Sequence, residues 1–100
     1  MPKWIMTIDV KEQWDMIKKE SADLSDEQKF PKSKAYKKFI RVLKDASNKI
    51  EKIFGEEAKD DYYYIVEELE EADTVGDFNY LWEELYDWAD SNRVWIKTIL

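Results

Sequence analysis

The sequence predicts a mainly α fold: a small four-helix domain over about 10–20, 33–54, 56–72 and 77–91, with a short two-stranded β element from the N- and C-terminal segments. An α+β class is the second choice. Three observations point to this fold. Apolar residues recur at spacings of three and four through most of the chain, the pattern of amphipathic helices. Residues that start or stop helices (Ser33, Gly55, Thr74, Asn92) stand at the ends of those periodic stretches. The chain ends are short runs of β-branched and aromatic residues, which favour strand. One hundred residues make one domain, 1–100, with room for a single core.

The elements follow in order. Trp4 to Ile8 is an apolar run suited to a strand. Asp9 and Glu12 have the spacing of a capping box, and Val10, Trp14 and Ile17 then fall on one helix face, with Met16 at its edge. Ser21 to Ser25 is a polar break, and Ser25 to Gln28 could begin one more helical turn before Phe30-Pro31 stops it. The second helix has the strongest pattern: Tyr36, Phe39, Leu43, Ala46, Ile50 and Ile53 alternate three- and four-residue steps. Ser33 is its expected N-cap and Gly55 its left-handed terminator. The third helix carries Ala58, Tyr62, Ile65, Val66, Leu69 and Ala72 on one face, and Asp73 to Gly76 ends it. Thr74 or Asp77 caps the fourth, whose apolar stripe is Phe78, Leu81, Trp82, Leu85, Trp88 and Ala89. Arg93 to Leu100 reads as a strand able to pair with Trp4–Ile8, provided that the ribbon packs on helices.

Composition excludes most enzyme chemistry. There is no histidine and no cysteine, so neither a Ser-His or Cys-His nucleophile pair nor a zinc site with nitrogen or sulfur ligands can form. Two glycines are too few for a phosphate-cradling loop. Paired carboxylates could serve glycoside hydrolysis only across a cleft, which a domain this small seldom offers. Asp73, Asp77 and Glu84 fall at calcium-loop positions 1, 5 and 12, but Phe78 replaces the required glycine and a helix start near Asp77 accounts for them better. The expectation is a non-enzymatic protein with no catalytic residue, cofactor or metal. The charged N-terminus does not resemble a signal peptide, and no apolar run approaches the roughly 20 residues of a membrane span, so a soluble, cytoplasmic protein is expected.

Charge is where the sequence speaks of partners. The net charge of −7 conceals a division. Residues 1–50 hold twelve Lys/Arg and eight Asp/Glu, a balance of +4; residues 51–100 hold four and fifteen, a balance of −11. On a helical wheel Lys34, Lys37, Lys38, Arg41, Lys44, Lys49 and Lys52 form a basic stripe away from the second helix's apolar face. No aromatic is interleaved in it, which argues for a solvated stripe over a nucleic-acid platform. The third and fourth helices carry Glu67, Glu68, Glu70, Glu71, Glu83, Glu84, Asp87 and Asp90 off their apolar faces, together with Tyr63, Tyr64 and Tyr80, and with Tyr86 at the boundary. Acids alone would be a solvated face. Tyrosines among them suggest binding, since these rings are enriched at interface hot spots.

The expected partner-binding residues are Tyr63, Tyr64, Glu67, Glu68, Glu71, Tyr80, Glu83, Glu84, Asp87 and Asp90. Spaced carboxylates on rigid helices can imitate a phosphate backbone, so the expected partner is a basic nucleic-acid-binding protein, a nuclease or defence effector. In charge and size this is analogous to phage-borne anti-restriction or anti-CRISPR inhibitors and to nuclease-toxin immunity proteins, although no motif ties the chain to a family. The alternative is a helical assembly module whose basic and acidic faces join chain to chain, as in a homodimer. Direct nucleic-acid or membrane binding through the second helix is disfavoured by the net charge.

Overall fold

The computed structural model describes residues 4–98. Its elements run β1 (Met6–Asp9), α1 (Lys11–Ser21), α2 (Lys34–Asp45), α3 (Ser47–Phe54), α4 (Glu56–Glu71), α5 (Val75–Ser91) and β2 (Val94–Lys97). The domain is mainly helical, as the periodicity predicts, and its two ends pair as a short sheet. The expected second strand extends to Leu100, but 99 and 100 lie outside the described residues, as do 1–3.

The two strands are parallel, with Met6 opposite Val94 and Asp9 opposite Lys97. Parallel pairing needs a long connection, and here the whole helical body supplies it. Met6, Ile8, Val94 and Ile96 are buried, whereas Thr7, Asp9 and Trp95 face outward. The ribbon is therefore held by packing one face on helices, which a lone pair of strands requires. Pairing also changes the start of α1. The Val10 amide donates to the Lys97 carbonyl at 3.0 Å, keeping Asp9 in the strand. The capping box expected from Asp9 and Glu12 does not form: α1 has no side-chain cap bond at Val10, and the Asp9 carboxylate accepts from the Lys11 amide at 3.1 Å.

The stretch expected as one helix over 33–54 is interrupted at Ala46, giving α2 and α3. Two carbonyls in the last turn of α2 are taken by side chains. The buried Tyr62 hydroxyl donates to the Leu43 carbonyl at 2.6 Å, and the Ser47 hydroxyl donates to the Lys44 carbonyl at 2.6 Å. In an uninterrupted helix those carbonyls would accept from Ser47 and Asn48. Hydroxyl competition of this kind bends or breaks helices.

Gly55 then joins α3 to α4. Its φ of 100° with ψ of 171° lies in a region that is essentially glycine's alone. It is thus an extended joint rather than the left-handed helix terminator expected. Between α1 and α2, Ser25 to Gln28 forms only a turn, closed by Gln28 N–H to the Ser25 carbonyl and Ser25 N–H to the Gln28 side chain. This loop is zipped to the start of α5, where Phe30 N–H donates to the Asp73 carbonyl and Gly76 N–H to the Asp26 carbonyl. A Cβ on Gly76 would stand 3.2 Å from that Asp26 oxygen, so the close approach depends on glycine. Thr74 and Asp77 together close a complete capping box, and α5 starts at Val75, two residues before the expected 77.

The core is aromatic. Trp14 stacks on Trp82 at 4.4 Å between ring centroids, Phe30 stacks on Phe78 at 4.5 Å, and Phe39 lies between these pairs. Tyr36 and Tyr62 are buried too, and each spends its hydroxyl on a carbonyl of a neighbouring helix: Tyr36 on Leu69, Tyr62 on Leu43. Burial pushes both phenols far above their ordinary range, with the charge of Glu70 adding to the effect on Tyr36. They are structural residues.

Candidate protein-binding face

A link of only three residues, Ala72 to Thr74, joins α4 to α5, which sets the two helices antiparallel. In this register Glu68 and Tyr80 line one groove, and Tyr64 lies within reach of Glu84's charge. On α5, Tyr80, Glu83, Asp87 and Asp90 follow at steps of three and four, so they share one outward face. Leu85, Ala89 and Phe78 occupy the opposite face and are buried. The α5 carboxylates point outward because the core has claimed the other side.

Tyr64 and Tyr80 are the most exposed large rings described, at 64 % and 63 %. Each stands beside a carboxylate one turn further along its own helix, Glu68 for Tyr64 and Glu84 for Tyr80. Interaction with these carboxylates raises both phenol pKa values above the ordinary tyrosine value. At neutral pH the hydroxyls stay protonated. Two large rings therefore stand exposed in an acidic field. Beside them a groove of about 310 Å³ is bordered by Glu68, Glu71, Asp73, Asp77, Tyr80 and Leu81.

No protein-family model, curated protein or solved structure matches this chain. Among the described residues no group of three or more acidic side chains is arranged to hold a metal ion, and no helix is long and apolar enough to cross a membrane.

The ten residues singled out from the sequence divide into three places. Tyr64, Glu68, Glu71, Tyr80 and Glu84 gather along the α4–α5 seam. Glu83 and Asp87 border a second depression of about 360 Å³ further along α5, and the exposed Asp90 follows them on the same helix face. Tyr63 and Glu67 belong elsewhere. Tyr63 is half-buried with the Lys59 ammonium 5.9 Å from its ring centroid, and both Tyr63 and Glu67 act on the charge of Lys44, on the α2 side of α4. Three consecutive tyrosines on a helix must point in three directions about 100° apart. Tyr62 enters the core, Tyr63 turns toward α2, and Tyr64 faces the α5 side.

One residue that the helical wheel places only at the boundary also belongs to this face. Tyr86 is 53 % exposed and lines the second depression with Trp82, Glu83 and Asp87. It stands three residues beyond Glu83 and one before Asp87, and that spacing is its signal in the sequence. The face thus carries three exposed tyrosines: 64, 80 and 86.

Proposed function

We propose that the α4–α5 face binds a basic, nucleic-acid-binding protein, and that the chain acts as a small inhibitor occupying the partner's nucleic-acid groove. The observation that supports this most is the pairing of exposed tyrosines with carboxylates at Tyr64–Glu68 and Tyr80–Glu84. A face needed only for solubility has no use for two large exposed rings. A face that must imitate a polyanion and also anchor itself uses both kinds of group. Glu83, Asp87 and Asp90 extend the negative field along α5.

Self-assembly through complementary faces has less support. Part of the basic surface is already used inside the chain, where Lys44 pairs with Glu70 at 2.7 Å. A homodimer would appear by sedimentation as a concentration-dependent species lost at high salt.

The decisive experiment is affinity capture at low salt, followed by challenge of the captured protein with duplex DNA. A basic nucleic-acid-binding protein should be recovered, and DNA should displace it. Changing Glu83, Glu84 and Asp87 together to lysine should abolish capture. Tyr80→Ala should weaken it by about 30-fold, the scale of a 2 kcal/mol hot spot. Capture of the same protein by a folded triple variant as well as by the original chain would end the proposal.

A further inference from the structure

A second cleft lies on the other side of α4, against α2, and the acidic face makes no use of it. It encloses about 530 Å³ and is bordered by Lys32, Lys37, Arg41 and Lys44, with the nearly buried Tyr36 and Ile40 beneath them. That volume is ordinary for a small-molecule site. Asp45 and Glu70 also border it, so four cations meet two anions in a chain whose net charge is −7.

Two of the cations are engaged. Lys32 donates to the Glu70 carbonyl at 2.8 Å, helping to satisfy the end of α4, and stands 4.8 Å from the Tyr36 ring centroid. Burial lowers its pKa, against the pull of Asp73, Glu70 and Glu71. Lys44 is held by Glu70. Lys37 and Arg41 are different: among the described residues neither makes an ion pair. They stand one helical turn apart on α2 and both border the cleft.

We propose that this cleft binds a compact phosphate-bearing anion, gripped by Lys37 and Arg41 with Lys44 and Lys32 as supporting charges. A guanidinium fork beside an ammonium suits a phosphate, because the fork donates two parallel bonds and the ammonium adds a point charge. The volume leaves room for an organic body against the aliphatic stems of Lys37 and Arg41. A long polyanion fits poorly. Glu67 and Glu70, both close enough to act on Lys44, form an acidic wall along α4 that an extended strand would have to cross. The ligand is thus a free phosphate or a phosphomonoester, and a nucleic-acid strand is not expected to bind.

The test is an amide NMR titration at low, constant salt with three probes: inorganic phosphate, a nucleoside monophosphate and a single-stranded oligonucleotide. Saturable shifts confined to residues 32–45 and the adjoining turn of α4 are expected for the first two probes. Tighter binding of the monophosphate would show that the organic body also contributes, and equal binding that phosphate alone is read. Lys37→Gln or Arg41→Gln should weaken binding at least tenfold. Lys49→Gln, the same charge change on an exposed residue outside the cleft, should alter it less than twofold. The spectra themselves report whether each variant is folded. Non-saturating shifts, or equal loss from Lys49→Gln, would overturn the proposal. So would tighter oligonucleotide binding with shifts reaching Lys34, Lys38 and Lys49. None of these outcomes bears on the acidic face, which lies across α4.

Discussion

Replacing Tyr62 by phenylalanine removes one oxygen and leaves the ring in place, 4.9 Å from the Trp88 centroid. The lost hydroxyl donates to the Leu43 carbonyl at 2.6 Å from a side chain with no exposed surface. A buried carbonyl deprived of its donor costs about 1–3 kcal/mol. Here part of that cost is recoverable, because the same carbonyl is the one a regular helix would offer to the Ser47 amide. The expected loss is therefore at the lower end, about 1–2 kcal/mol, or a fall in Tm of roughly 5–15 °C for a domain of this size. Urea unfolding measures the loss, with Tyr64→Phe as the exposed control expected to change little. Adding Ser47→Ala frees the Lys44 carbonyl as well, so α2 and α3 should fuse through Ala46. The Ser47 and Asn48 amides should then gain protection from hydrogen exchange. If Tyr62→Phe costs no more than Tyr64→Phe, or if the double variant leaves those two amides unprotected, the hydroxyls do not cause the break.

Four further outcomes are expected. Gly55→Ala should cost about 1–3 kcal/mol by urea unfolding, through backbone strain alone, since nothing lies within 4 Å of the added methyl. Thr74→Ala should remove the bond that the Asp77 amide donates to Thr74 Oγ1 at the α5 cap and cost about 1 kcal/mol in the same assay. Arg93 holds a φ of 60° between α5 and β2, so Arg93→Gly should raise stability by up to about 1 kcal/mol. Stability should also fall as pH rises through about 10, where the unfolded chain's tyrosines ionise but Tyr36 and Tyr62 keep their protons. Their folded-state pKa values are raised, so the stabilisation is complete below that pH and is lost toward the higher folded values. The slope should approach about 1.4 kcal/mol per pH unit for each of the two residues, and Tyr62→Phe should remove one share.

The helices were legible because their signal is local. Each apolar stripe could be read from its own segment, and Thr74 and Asp77 stood as alternative caps for α5. What the sequence could not show was any event decided by a distant partner. Asp9 and Glu12 have capping-box spacing, yet the strand pairing of Val10 with Lys97, almost the whole chain away, sets where α1 begins. The break at Ala46 depends on Tyr62, nineteen positions beyond the Leu43 carbonyl that it takes. Gly76 looked like a helix breaker and instead sits inside α5, where its missing side chain admits the Asp26 loop. The candidate face was legible to the same extent. Its α5 row followed from spacing, but the departure of Tyr63 and Glu67 toward α2 did not, because a wheel shows which residues leave the apolar face and not which neighbour they meet.

That departure changes what the charge division means. In the sequence the basic residues belong to the first half and the acidic residues to the second, as if two surfaces were kept apart. In the fold α4 stands between them and is acidic on both flanks. Glu68 and Glu71 face the α5 seam, whereas Glu67 and Glu70 face the cations of α2. Carboxylates one position apart on this helix therefore have opposite duties. Glu68→Gln should remove a charge beside Tyr64 and weaken only what binds the tyrosine face. Glu70→Gln should release Lys44 into the basic cleft, favouring an anion there and leaving the tyrosine face as it is. Measuring both ligand classes against both variants separates the flanks. Two effects that each stay on their own side would show α4 to be a partition between independent surfaces, and a crossed effect would show that the chain's charge acts as one field.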